Sequence, residues 1–468
     1  MEETKVSREE IDAYVERVWP EVLEDIATLV AIDSVEDLSA AAPGAPWGPG
    51  PKVGLDAALN IAGRLGLDAH DVEGYIGYAD LPGKSERQVA TIAHVDIVPV
   101  GTGWDTDPFT LTVKDGYLLG RGTLDDKGPL ALTLWAAHFF KERGQELPYT
   151  LRCIVGANEE TGLGDVDYYN EHFEQPAFLF TPDAEFPVCC GEKGGFSATY
   201  TSGPVAGGTI VDFRGGTAGN AIPDLAEVTV RADAASLPAA EGIDVEDAGD
   251  GLARLVAHGK GGHASLPEGT VNAIGMLVDY LWDNGLYSEE ERLFLELERL
   301  IFATTDGSSL GIDATDDIFE PLTCIGGTIE VEDGRFRQTI DARFPKSTTA
   351  EHLEEVLSRL GEEHGCTLTV DLALVPFYVD PSSPEIQTLI QTYNEHTGKD
   401  KKPFTIGGGT YARDFKNAAS FGPEETDMVN PDWVGGMHGP NEGVSEQLLR
   451  DSLSIYIDAI ARLMELDL

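Results

Sequence analysis

The run Thr91-Ile-Ala-His-Val-Asp-Ile-Val-Pro99 sets a histidine and a carboxylate two residues apart, His94 and Asp96, where strand-like composition gives out. Alternate strand residues face the same side, so the Asp96 carboxylate can lie beside the His94 imidazole. A metal-binding histidine wants such a partner, because a carboxylate on one ring nitrogen sets the tautomer and raises the basicity of the other. Alone, His-x-Asp reads more simply as a satisfied strand-end histidine. Residues further along the chain change that reading: Asp125, Glu159-Glu160, Asp183 and, much later, His438. Two imidazoles and several carboxylates suit zinc, with cobalt or manganese as substitutes. With Asp125 as a bridge, His94 and Asp183 account for one ion, Glu160 and His438 for the other. Paired ions about 3.5–4 Å apart share a water, lower its pKa and polarise a carbonyl. Glu159 neighbours a ligand without needing to be one, so it is free to act as general base and then acid. In so acidic a chain Glu159-Glu160 also reads as a solvated pair; its place at the end of a buried strand favours chemistry.

The elements that must present these groups are set by the local pattern. Strand-like runs end in His94, in Asn158-Glu159-Glu160 after Tyr149 to Ala157, and in Pro182-Asp183-Ala184 after Ala177 to Thr181. A hairpin over Thr110 to Leu119, turning at Asp115-Gly116, leads into Gly120-Arg-Gly-Thr-Leu-Asp-Asp-Lys-Gly-Pro129, and an apolar helix from Pro129 to Arg143 stops at Gly144. Those glycines lack phosphate-loop spacing, which excludes nucleotide binding there. His138, inside that helix, reads as structural. Ser7-Arg-Glu-Glu10 is a capping box opening a helical segment to about Val30, with Pro20 where a second helix could start. Ala40 to Pro51 reads as loop and Leu55 to Leu65 as helix. Strands alternating with helices predict an α/β fold with a mostly parallel sheet flanked by helices, and such sheets bind ligands beyond their strands' carboxyl ends.

From Glu192 the texture changes to alternating strands (Phe196-Ser-Ala-Thr-Tyr, Ala226 to Ala232, Phe336 to Phe344) with helices between Asn272 and Ile301 and from Thr349 to Gly365. This predicts two open-faced α+β units in series, forming a lid inserted into the α/β domain. The expected organisation is residues 1–191 catalytic, 192–380 inserted and 381–468 catalytic again, the last part carrying Gly407-Gly-Gly-Thr-Tyr-Ala-Arg413 and His438.

At 468 residues with 42% apolar content, the chain is long enough for two or three domains. Five cysteines, an odd number without paired zinc-finger spacing, predict a reduced, cytoplasmic protein; Cys189-Cys190 read as buried thiols. An acidic amino terminus without an apolar core, and no apolar run of spanning length, predict a soluble chain. The formal charge of −50 argues against nucleic acid and anionic membrane as partners. It also suits a protein working in concentrated salt, where self-repulsion is screened.

The series His94-x-Asp96, Gly120-Arg-Gly-x-x-Asp125-Asp-Lys-Gly, Glu159-Glu160, Pro182-Asp183-Ala184 and His438-Gly resembles the di-zinc peptidases that include carboxypeptidase G, aminoacylase and succinyl-diaminopimelate desuccinylase. The long insert, with Gly191-Glu-Lys-Gly194, Asp341-Ala-Arg-Phe-Pro345 and the Gly407 loop, looks most like the bacterial PepV-type dipeptidases. The resemblance implies a di-zinc exopeptidase fold, Asp125 as bridging ligand followed by a cis peptide to Asp126, Glu159 as the catalytic glutamate and Asp96 as orienter of His94. It implies His263, in Gly-Gly-His-Ala-Ser-Leu-Pro, as the group stabilising the tetrahedral oxyanion, and Arg343 as the grip on the substrate carboxylate, a task suited to a bidentate guanidinium. Without it, both read as ordinary surface residues. Asn220, and the backbone of Gly408, Gly409 and Thr410, are further candidates for the substrate pocket. Smaller relatives complete their site with a second subunit; a double-length insert here implies a monomer. The leading expectation is a zinc-dependent dipeptidase acting on small peptides. An N-acyl amino acid deacylase or carboxypeptidase would use the same site on another amide, and a metal-holding or peptide-binding module would not need Glu159.

Overall fold

The structure, a computed structural model, describes residues 6–205, 207–425 and 427–468. Packing divides the chain into two compact units: the first is Met1–Gly191, Tyr378–Phe404 and Gly409–Leu468, the second Glu192–Phe377 with Thr405–Gly408.

In the first unit the strands lie in the order Asp68–Val72, Ile76–Leu81, Tyr149–Gly156, Ser85–His94, Phe178–Thr181, Ala418–Ser420. The middle of that series is parallel: Ser85–His94 runs parallel to both Tyr149–Gly156 and Phe178–Thr181, and Ala418–Ser420 parallel to Phe178–Thr181. The flank is antiparallel, through Ile76–Leu81 and Asp68–Val72 on one side and the Ser420–Cys189 pair on the other. Seven consecutive residues of Tyr149–Gly156 and all four of Phe178–Thr181 are buried. Successive side chains point to opposite faces, so the sheet is covered on both. The helix Lys127–Arg143 packs on these strands and is buried nearly all round, Trp135 included, which is why its sequence is apolar on every face. It begins two residues before the expected Pro129 and ends, as expected, on a left-handed Gly144.

Two expectations for the amino-terminal region are corrected. Arg8–Val30 is one uninterrupted helix, capped by Ser7, with Pro20 inside it. Pro20 faces solvent, so the helix hydrogen bond it deletes is lost where water can replace it, while Tyr14, Val15, Val18, Trp19, Val22 and Ile26 are buried on both sides of it. The next helix spans Pro49–Arg64 rather than starting at Leu55; Pro49 at its first position needs no amide partner, so part of the proline-rich loop becomes helix.

The second unit is an antiparallel sheet of eight strands in the order Ile243–Gly249, Leu252–His258, Leu225–Val230, Ile210–Gly215, Thr323–Glu332, Arg335–Phe344, Gly194–Ser202, Cys366–Leu374. The two strand sets expected as separate units are joined at Gly215–Ile329, where the edge of one pairs with the edge of the other, leaving neither open. They share one apolar core with the helices Ala273–Asp283, Glu289–Ala303 and Ala350–Glu363. All five cysteines are free and buried. No helix among the described residues is long and apolar enough to cross a membrane.

Candidate active site

Three adjacent parallel strands deliver their carboxyl ends together. His94 is the last residue of its strand and pairs in register with Gly156, three residues before Glu159; Asp183 lies two residues beyond Thr181. Asp125 comes from the loop between the strand Tyr117–Leu119 and the helix Lys127–Arg143, after which the Asp125–Asp126 peptide is cis. His438 comes from the loop before the strand Gly443–Ser445. All belong to the first unit.

The geometry around His94 fixes its tautomer. Nδ1 lies 3.0 Å from the main-chain oxygen of Asp96, which can only accept, so Nδ1 carries the proton. The Asp96 carboxylate is farther, at 3.4 Å; the main chain, more than the expected carboxylate, orients this ring. Nε2 faces Asp125 Oδ1 at 3.1 Å and Asp183 Oδ2 at 3.6 Å. A ring edge and carboxylate oxygens converge there, an arrangement satisfied by a proton on Nε2 or by a divalent cation between the groups. The other Asp125 oxygen, Oδ2, lies 2.9 Å from His438 Nε2, which is 3.1 Å from Glu160 Oε2. Asp125 thus offers one oxygen to each histidine. Ligand atoms of His94, Glu159 and Asp183 lie within 4.8 Å of one another, as do those of His94, Asp125 and Glu160.

Electrostatics agrees. Burial, then repulsion from neighbouring carboxylates, raises the carboxyls of Glu159, Glu160 and Asp183 above their ordinary range. Burial also disfavours a charged His94, but Asp125, Asp183 and Asp96 reverse it and raise that imidazole well above its usual value. Donation to the Asp125 and Glu160 carboxylates carries His438 up to about 11. Asp125 is held low against its burial by both histidines. A cluster that gathers positive charge this strongly fits divalent cations, and its nitrogen and oxygen donors suit a borderline metal.

Buried acids tie the loops down. Asp126 accepts the amide of His94 at 3.1 Å and Asp96 that of Glu160 at 3.0 Å. Asp165 accepts the amides of Ala157 and Asn158 and the hydroxyl of Tyr411, whose ring stands edge-on to His94. Glu442 accepts the amides of Gly122, Leu124 and Asp125. Neither Asp165 nor Glu442 falls in a ligand-like spacing, so local sequence carries no signal for either.

Of the substrate-pocket candidates, Asn220, His263, Arg343 and Gly408 belong to the second unit, Gly409 and Thr410 to the first. His263 is exposed and pairs across a two-stranded ladder with Ala221, next to Asn220. The Ser265 amide, which can only donate, points at His263 Nδ1 from 3.2 Å, so His263 carries its proton on Nε2. Gly407 packs so closely on Ser265 that a Cβ there would meet the serine Cβ at 2.6 Å. Arg343 donates through Nε to Asp341 at 2.7 Å and through Nη2 at 3.2 Å. The Thr410 hydroxyl accepts the amide of Ala412, capping the short turn Tyr411–Asp414.

An α/β sheet whose parallel strand ends and neighbouring loops gather two imidazoles and several carboxylates offers the donor set of a metal-dependent hydrolase. The profile of Peptidase family M20/M25/M40 matches residues 90–464, and the chain belongs to that family: it is a peptidase, a hydrolase of peptide bonds. It is 32% identical over 460 residues to the Beta-Ala-Xaa dipeptidase of Lactobacillus delbrueckii subsp. lactis, covering 94% of this chain and 96% of the relative. Its fold is similar to that of human carnosine dipeptidase 1 (TM-score 0.60, 17% identity, 98% of this chain and 100% of the other). It is also similar to that of the di-peptidase Dug1p from Saccharomyces cerevisiae (TM-score 0.64, 13% identity, 99% of each chain).

Proposed function

We propose that the protein is a zinc-dependent dipeptidase, a monomer of the cytoplasm acting on small peptides. The observation that carries the reading is the division of the Asp125 carboxylate between His94 and His438. It supports two ion positions, one held by Asp125, His94 and Asp183, the other by Asp125, Glu160 and His438. Zinc bound there would lower the pKa of a shared water and polarise the scissile carbonyl. Each position then has three protein donors and keeps room for water or substrate. Glu159 lies as near His94 and Asp183 as a ligand would, but as a further ligand it would close that room. It acts instead as the base that takes a proton from the attacking water and returns it to the leaving amine. Asp96 holds His94 through its carbonyl and the Glu160 loop through its carboxylate.

The second unit serves as the lid and supplies substrate contacts. Ser265 keeps His263 protonated on Nε2, the state needed to donate to the developing oxyanion. Asp341 occupies the Nε edge of Arg343 and holds the guanidinium in one orientation, so the remaining N–H groups are preset for a substrate carboxylate. Asn220 and the main chain of Gly408 in that unit, and of Gly409 and Thr410 in the first, are the further candidates for contact with substrate. The similarity to a Beta-Ala-Xaa dipeptidase adds β-alanyl peptides to the candidate substrates.

The test is hydrolysis by the zinc-loaded protein of a matched panel: α- and β-alanyl dipeptides, their carboxamides, tripeptides and N-acetyl amino acids. Cleavage of free dipeptides with loss on amidation is the expected result. Preference for N-acetyl amino acids would keep the metal chemistry and replace the dipeptidase with a deacylase.

A further inference from the structure

We propose that Arg121 and Glu442 are a positioning couple that holds Asp125 and His438 in one arrangement, and thereby governs the ion position those two share with Glu160; this rests on the ligand reading above.

Glu442 is wholly buried, where a carboxylate is tolerated only if ringed by donors. Its Oε2 takes Arg121 Nη1 at 2.5 Å, and its Oε1 faces the amides of Gly122 at 2.9 Å, Leu124 at 3.1 Å and Asp125 at 3.3 Å. Three of the four donors are main chain of the loop that ends in Asp125. Arg121, 1% exposed, extends Nη2 to the carbonyl of His438 at 3.1 Å. One ion pair therefore touches both loops, which lie more than 300 residues apart in sequence. Strand pairing places it: Gly443–Ser445 runs antiparallel to Tyr117–Leu119, and Gly120 donates to the main-chain oxygen of Glu442 at 3.0 Å.

The two histidines differ in what else supports them. His94 is buried at a strand end, with Asp96 on its ring and Asp126 on its amide. His438 is half exposed and sits in a left-handed conformation, φ 63°, that side chains seldom adopt. Its ring is placed by its main chain, and Arg121 is bonded to that main chain. Asp125 serves both positions but His438 only one, so loss of the couple should weaken the Asp125–Glu160–His438 position more than the one at His94 and Asp183. A pair serving only as fold cement would show no such preference.

Glu442→Gln and Arg121→Gln in the full chain separate these possibilities. Zinc per chain is measured after dialysis against buffered metal, with Co2+ titrations followed by visible absorption, on protein with native circular dichroism. Both variants should hold one equivalent as the wild type does and bind the second about 10- to 100-fold more weakly. Arg121→Gln leaves Glu442 its three main-chain donors, so it remains informative if Glu442→Gln does not fold. Wild-type affinity for both equivalents overturns the proposal; so does loss of both together, the signature of a purely structural pair. His438→Ala is the control for the underlying reading. If it keeps both equivalents, the ligand assignment fails; if it loses one while the couple variants lose none, the couple alone is refuted.

Discussion

The two units satisfy their buried acids unequally. In the first, Asp96, Asp126, Asp165 and Glu442 are all buried, and each accepts main-chain amides from a loop of the site. In the second, buried Glu291 is treated similarly, capping its helix and accepting from Thr209 and Ile210. Glu298, further along the same helix, is wholly buried with no hydrogen-bond partner for either oxygen among the described residues. Parallel strand ends leave loop amides clustered and unpaired, and acids placed there are satisfied while ligands are aimed. An antiparallel sheet pairs its own amides, so an acid beneath it finds donors only where a strand begins, as Glu291 does at Thr209 and Ile210, and Glu298 finds none among the described residues. In the first unit the acids around the candidate site are satisfied by amides and buried Asp25 by Arg64 and Trp135; in the second, Glu298 has no such partner among the described residues.

The sharpest test of that contrast is at Glu159. Glu159→Gln should lower turnover by about 10³-fold or more while both metal equivalents stay bound; steady-state rates and metal analysis on one preparation check it. Unchanged turnover would place Glu159 among the merely tolerated acids. In the second unit, Glu298→Gln should stabilise by about 1–3 kcal/mol at pH 8, because an uncharged side chain no longer pays for desolvation there. The sign comes from burial raising the Glu298 carboxyl well above its ordinary 4.5 in the fold. A raised folded pKa means that the stabilising protonated form is complete below about 4.5 and is lost as pH rises through the folded value. Denaturant unfolding from pH 5 to 8, with hydrogen exchange over Glu289–Ala303, should show that slope in the wild type and its loss in the variant. A partnered, functional Glu298 would give destabilisation instead. The smallest effect should be common to both units: the −50 charge makes molar salt raise the melting temperature by screening self-repulsion. A flat response would argue against a chain adapted to concentrated salt.

The candidate ligands were legible because each sits in a short motif, and His94, Glu159, Glu160 and Asp183 at or just beyond recognisable strand ends. His94, Glu159, Glu160 and Asp183 needed only the expectation of parallel strands, and His438 the resemblance of its motif. The helix Pro49–Arg64 was legible only from Leu55 on, since Pro49-Gly-Pro51 reads as loop unless proline is allowed in a first turn. Pro20 misled for the opposite reason: local chemistry suggested a break that long-range packing of Trp19 and Ile26 overrode. The fusion of two strand sets into one sheet depended on the pairing of Gly215 with Ile329, which no local pattern announces.

By itself, the sequence determined the residue types that can gather metal and move a proton, and the strand ends from which they act, because these depend on neighbours within a few positions. Tertiary structure decided which Asp125 oxygen faces which histidine, that the Asp96 carbonyl rather than its carboxylate sits nearest the His94 ring, and that Arg121 meets Glu442. Such contacts join segments tens to hundreds of residues apart, or turn on differences of a few tenths of an ångström. Only the packed chain sets them.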